Sequence, residues 1–195
     1  MAAFTIDPQK AALVLIDLQQ AVVSRPCAPR SAAEVVQNAA RLAAKFRAVG
    51  ATVVLVTVSF RQDSRDRLNV PVDSPAQFNV NALPSNWAEL VPEIGPRDGD
   101  ITIIKRQWGA FYGTELDLQL RRRDVRTLLL GGIATNFGVE STGRDAYERG
   151  YAQVFVEDAM GSMTAEAHEF AVKTIFPRIG NVRSTAEALS AFAPG

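Results

Sequence analysis

Two ionisable side chains and one glycine-rich turn stand where this chain could do chemistry. Asp17 directly follows the near-continuous apolar run 11–16, AALVLI. Such a run reads as a strand buried on both faces, as in a parallel sheet. A carboxyl group at its end is hard to ionise unless a cation lies close. Lys105 follows a second apolar run, 101–104, ITII, and is the candidate cation. Coupled, the two can hold and pass a proton. The third feature is the stretch 128–151, LLLGGIATNFGVESTGRDAYERGY. It reads as a buried strand closed by Gly131-Gly132, a bend through Ile133–Gly138, and an amphipathic helix from Val139 to Arg149. Val139, Thr142 and Ala146 share one helical face, and Gly150 is a natural stop. This kind of turn aims backbone N–H groups and a helix start at one point, which suits an anion or a developing oxyanion.

The elements that must position these groups alternate along the chain. After strand 11–16, the capping box Ser31-x-x-Glu34 opens a helix whose inner face carries Val35, Ala39, Leu42, Ala43 and Phe46, and Gly50 ends it. The β-branched run 52–58 is a second strand. Strand 101–104 follows, then a helix capped by Thr114 with Glu115 and Asp117 in its first turn. Strand 127–130, helix 139–149, strand 153–156, a helix from Thr164 through Ile175, strand 179–182 and a second capping box, Ser184-x-x-Glu187, complete the order. This alternation predicts one α/β domain over 1–195, a Rossmann-like three-layer sandwich with a mostly parallel sheet covered by helices on both faces. Ligands of such sheets bind outside the carboxyl ends of the strands, where Asp17, Lys105 and the 134–138 turn all fall. The stretch 61–100 breaks the rhythm, being polar and rich in Pro, Asn and Asp. It reads as an excursion with one short helix at 86–90, serving as lid, pocket wall, subunit contact or plain solvated decoration.

Composition removes several classes of function. With 21 basic and 21 acidic residues the formal net charge is zero, so no nucleic acid or acidic membrane is expected as partner. The run Arg121–Arg123 reads as a solvated helix end. No apolar stretch approaches a membrane span and residues 1–10 lack a signal pattern, so a cytoplasmic protein is expected. The single cysteine, Cys27, allows no internal disulfide, and a single histidine, His168, allows no multi-histidine metal site, so neither metal nor cofactor is expected. His168 reads as a structural helix residue. Phosphate-loop and dinucleotide motifs are absent, since Gly131-Gly132 lacks the third glycine and the later acid.

The run Gly132-Ile133-Ala134-Thr135-Asn136-Phe137-Gly138-Val139-Glu140-Ser141-Thr142, with Arg144-Asp145-Ala146 after it, resembles the active-site segment of the isochorismatase-like hydrolases. Leu15-Ile16-Asp17-Leu18-Gln19 and Lys105-x-x-x-Gly109-Ala110-Phe111-x-Gly113-Thr114-x-Leu116 match the same family. The resemblance covers nearly the whole chain and is strongest to the cysteine-less YecD-like branch. It implies a six-stranded sheet of order 3-2-1-4-5-6, so that strands one and four flank the switch point, and a non-proline cis peptide before Thr135. It also implies that Asp17 and Lys105 are catalytic and that the family's nucleophilic cysteine is replaced by Gly138. Glycine cannot attack a carbonyl.

The expected function is therefore hydrolysis of a small, carboxylate-bearing molecule by Asp17/Lys105 acid–base catalysis without a covalent intermediate. Vinyl-ether hydrolysis fits: the aspartate protonates the enol-ether carbon and water adds to the oxocarbenium. Candidate binding residues are Ala134, Thr135, Asn136 and Phe137 in the turn, the aromatic side chains of Phe60, Trp108, Phe111 and Tyr112, and Gln19 as a polar pocket group. Cys27, on a loop beside Pro26 and Pro29, is a remote substitute nucleophile. The rival expectations are a small-molecule-binding protein on a retired enzyme scaffold, which Gly138 favours, and a structural oligomer subunit. The family implies a homo-oligomer, a dimer or larger.

Overall fold

The computed structural model of the protein describes residues 5–75 and 82–192. Its centre is β1, Ala11–Ile16, in which every residue is buried. Side chains alternate along a strand, so Leu13 and Leu15 enter one core while Ala12, Val14 and Ile16 enter the other. A strand apolar on both faces is stable only between two helical layers. The remaining strands are β2, Thr52–Val58; β3, Ile101–Lys105; β4, Thr127–Ile133; β5, Ala152–Gly161; and β6, Asn181–Arg183. All pair in parallel, in the order β3-β2-β1-β4-β5-β6. The sequence-based fold class holds, with the sheet fully rather than mostly parallel.

The helices are α1, Gln20–Val23; α2, Ala32–Ala48; α3, Leu116–Arg122; α4, Glu140–Glu148; α5, Ala165–Phe170; α6, Phe176–Ile179; and α7, Thr185–Ser190. On one face α2 lays Leu42 and Phe46 against Leu13, Leu15, Val53 and Leu55. On the other, Leu116 and Leu120 of α3 and Ala146 of α4 cover Val14, Val54 and Val56. Each fully buried aliphatic side chain contributes about 1.5–3 kcal/mol. Both predicted capping boxes form: Ser31 and Ser184 each accept the N–H three residues on, and the Glu at that position accepts the Ser N–H. Among the described residues no helix is long and apolar enough to cross a membrane.

Several predicted boundaries move. Gly131 and Gly132 do not close β4 but lie inside it. They are glycine because the chain passes close to its neighbours: a Cβ on Gly132, at φ +123°, would overlap the Ile16 backbone, and one on Gly131 would sit 3.0 Å from the Ala159 carbonyl. β5 continues five residues past Val156, through a register shift against β4. Within this extension Asp158 leaves the ladder's polarity pattern to cap α7, accepting from Thr185 N–H at 2.6 Å and Thr185 Oγ1 at 2.7 Å. β6 starts only after α6 has run through Ile179. Thr114 bonds the Leu116 N–H as expected, but Glu115 is the boundary residue of α3. No helix forms over 86–90: successive turns, with Trp87 N–H donating to the Pro84 carbonyl and Glu89 N–H to that of Asn86, lead to a bridge between Leu90 and Gln19. Residues 76–81 of the excursion lie outside the described residues.

Candidate active site

Parallel strands deliver their carboxyl ends to one edge of the sheet, and the site is built there. Asp17 leaves β1 with φ 54°, in the left-handed region, while its N–H still donates to the Val56 carbonyl at 2.9 Å. Its side chain thus turns aside from the strand direction. Lys105 closes β3, two strands away. Strand spacing puts the two backbones about 10 Å apart, a gap that the long lysine side chain closes. Lys105 Nζ lies 2.7 Å from Asp17 Oδ2 and donates to the Trp108 carbonyl at 2.7 Å. The pair is buried, with side-chain exposures of 2% for Lys105 and 10% for Asp17.

The two carboxyl oxygens are unequal. Oδ2 is held by Lys105, whereas Oδ1 is buried and has no hydrogen-bond partner among the described residues. Burial raises the Asp17 pKa from 3.8 to about 6, against the opposing attraction of Lys105. Near neutral pH this carboxyl is therefore poised to gain and lose a proton. When the proton is present it belongs on Oδ1, because Oδ2 already accepts from the lysine.

The third part is the turn after β4. The Ile133–Ala134 peptide is cis, and Thr135–Val139 forms one wide turn of π-helix that runs into α4. Val139 N–H reaches back five residues to the Ala134 carbonyl, at 3.2 Å. As at any helix start, the first N–H groups, those of Thr135 and Asn136, have no partner inside the helix. Turns of this kind recur at functional sites. Gly138 is buried over the ion pair: a Cβ built on it would lie 3.3 Å from both Asp17 Oδ2 and Lys105 Nζ, and 2.8 Å from Ile16 Cγ2. Thr142 ties the turn to the segment after β3, donating to the Gly138 carbonyl at 2.7 Å and accepting from Ala110 N–H at 3.1 Å.

Asp17, Lys105, Gly138 and the turn 134–137 thus come together. Trp108 and Phe137 form an exposed edge-to-face pair with centroids 4.9 Å apart. Both adjoin the site, Trp108 through its carbonyl, which accepts from Lys105, and Phe137 as the chain neighbour of Gly138. The other expected pocket residues are elsewhere engaged. Gln19 is fully buried; its Nε2 donates to Val58 and Ala88 carbonyls and its Oε1 accepts from Val58 N–H. Both amide protons are taken, so Gln19 clamps α1 and the excursion to β2 and offers a ligand no donor. Phe60 stacks on Trp87, Phe111 joins the core beside Tyr151, and Tyr112 is out in solvent. Cys27 packs where Gly161 lacks a Cβ, and burial raises its thiol pKa, the reverse of nucleophile activation.

Two contacts behind the turn escaped the sequence reading. Thr135 Oγ1 lies 2.9 Å from His168 Nδ1, and Asn136 Oδ1 accepts from Ser162 Oγ at 2.5 Å. The one available signal was position: Ser162 directly follows β5 and His168 lies in the first turns of the next helix, both at the carboxyl edge of the sheet. Among the described residues no group of three or more His, Cys, Asp or Glu could hold a metal ion. A groove of about 480 Å³ runs along the outer side of α2, lined by Ala33, Val36, Ala40 and Ala44, but includes none of these site residues.

The chain is similar to known proteins along nearly its whole length. Residues 11–187 match the model of the isochorismatase domain. The isochorismatase-family protein YecD of Escherichia coli O157:H7 is 49% identical over 186 residues, 95% of this chain and 98% of that protein. The ureidoacrylate amidohydrolase RutB of Cronobacter sakazakii is 31% identical over 215 aligned positions, covering 96% of this chain and 92% of its own length. The solved structure of an isochorismatase-family protein from Burkholderia thailandensis superposes with a TM-score of 0.91 at 42% identity, over 96% of this chain and 97% of that one.

Proposed function

The chain belongs to the isochorismatase family of hydrolases, and from that premise we propose that it hydrolyses a small carboxylate-bearing molecule without a cysteine nucleophile. The carrying observation is the divided Asp17 carboxyl, with Oδ2 on Lys105 and Oδ1 buried and unpartnered among the described residues. Such a group is a general acid that holds its proton on the one oxygen able to release it elsewhere. In the proposed reaction Asp17 Oδ1–H protonates the terminal carbon of a vinyl ether, forming the C–H bond and leaving an oxocarbenium. Lys105 stabilises the carboxylate so formed. Water adds to the cation and returns its proton to Asp17. The resulting hemiketal then breaks its C–O bond to give a ketone and an alcohol. The substrate carboxylate is assigned to the Thr135 and Asn136 N–H groups that open the turn; a turn amide would add on the order of 10²–10³ in rate only where it met developing charge. Trp108 and Phe137 flank the opening.

Gly138 supports the absence of a covalent step, since its position beside Asp17 and Lys105 carries no nucleophile. The same glycine supports a second reading, a binding protein on a retired scaffold. A screen separates the two: turnover of isochorismate or small amides supports the enzyme, and thermal stabilisation by small carboxylates without turnover supports the binding protein. We also propose a homo-oligomer, which light scattering tests; a strict monomer would count against it.

A further inference from the structure

We infer that His168 is a positioning residue of the ligand-binding turn, acting through the Thr135 hydroxyl rather than by touching substrate. The inference rests on the assignment of the 134–138 turn as the binding element. Thr135 and Asn136, which present the turn's first N–H groups, are each held from behind by one polar side chain. His168 Nδ1 lies 2.9 Å from Thr135 Oγ1, and Ser162 Oγ donates to Asn136 Oδ1. Ser162 stands in the connection from β5 into α5 and His168 on α5 itself, and Ser162 is fixed by two backbone bonds with Ala28, at 2.8 and 2.9 Å. The buttress is thus continuous from the loop before α2 to the turn.

His168 is 2% exposed as a residue and Thr135 is fully buried, so their bond is shielded from solvent. One proton lies between a neutral imidazole and the hydroxyl, in either direction. Once the ring is protonated, Nδ1 must donate, and the Thr135 proton has to turn elsewhere. With Nδ1 the acceptor in the neutral ring, the ring's charge sets the orientation of the hydroxyl at the start of the turn. The groups that act on that charge are Arg30, in the loop before α2, and Glu169, on α5 itself; Arg30 is in turn 3.9 Å from Glu157 of β5. Burial first and Arg30 second hold the His168 pKa below its ordinary value, so the neutral form is the resting one.

His168 is the only histidine, so its titration can be followed in the whole protein without ambiguity. The test is a pH series of amide and imidazole NMR spectra on the wild type and three variants. The expected result is that the Thr135 and Asn136 amide signals titrate with the imidazole midpoint, below the ordinary histidine value. The shared titration should vanish in His168→Asn, which keeps a polar atom near the Nδ1 position, with the turn signals otherwise near wild type. His168→Leu should displace those signals, and Thr135→Val, which cuts the bond from the other end, should move the imidazole midpoint. Turn amides that ignore the imidazole titration, or that shift equally in the Asn and Leu variants, would overturn the inference. None of these readouts needs a substrate, so failure of the proposed reaction would leave this result standing.

Discussion

Lys105 Nζ holds one oxygen of Asp17, Oδ2, at 2.7 Å and leaves the other, Oδ1, buried with no partner among the described residues. Breaking a buried ion pair from one side is costly because the remaining charge stays uncompensated. Lys105→Met should therefore destabilise the protein by about 3–5 kcal/mol at pH 8. At pH 5 the loss should be smaller, because Asp17 can take up a proton and become neutral. Urea unfolding at the two pH values measures the difference; equal losses would mean that the pair does not exist as described.

The same carboxyl gives the pH dependence of stability a definite sign. Its folded pKa is raised from 3.8 to about 6, so between these values the folded protein binds the proton more tightly than the unfolded chain. That contribution is fully present below about pH 4 and is lost as pH rises through about 6. His168, with its lowered value, acts in the opposite sense and loses stability as pH falls. Comparing the wild type with Asp17→Asn isolates the first effect. The wild type should lose stability relative to the variant as pH rises across this window.

Gly138 sits tightly against β1. A Cβ there would come within 2.8 Å of Ile16 Cγ2, a methyl on a stiff β-branched side chain. Gly138→Ala should cost about 1–3 kcal/mol as an overpacked core substitution. Ile16→Leu moves the branch away from that contact, so the double variant should cost less than the two single changes together. Strict additivity in thermal unfolding would argue against the contact.

Gln19 should behave as a clamp, not as a binding residue. Its removal leaves the Val58 N–H and the Val58 and Ala88 carbonyls without their partner, at about 1–3 kcal/mol for each buried group left unpaired. Gln19→Ala should therefore lower stability strongly while leaving ligand affinity, measured on the folded fraction, near wild type. A selective loss of affinity would restore Gln19 to the site.

How far the sequence foretold this arrangement depends on the range of the signal. β1, β2 and both capping boxes were legible because apolar runs and Ser-x-x-Glu spacing act within a few residues. The convergence of Asp17 and Lys105 was legible because parallel strands send their ends to one edge. Gly131-Gly132 misled, since glycine in sequence signals a turn, whereas here it answers a close approach to Ile16 and Ala159. β5 was read too short because Glu157 and Asp158 interrupt its apolar run, and Asp158 is recruited to Thr185, 27 residues away. Gln19 looked like a pocket group because nothing near it reveals its partners, which lie 39 and 69 residues on. The Thr135–His168 bond spans 33 residues and has no local signature.

The central claim is that Asp17 is the acid of a reaction without a covalent intermediate. The most direct measurement is the steady-state rate of vinyl-ether hydrolysis, with isochorismate as probe, for the wild type and Asp17→Asn across pH 5 to 8. The wild-type rate should fall as Asp17 ionises above about pH 6, and the variant should lose a factor on the order of 10²–10⁴. Full activity in Asp17→Asn, or amide hydrolysis abolished instead by Cys27→Ser, would contradict it.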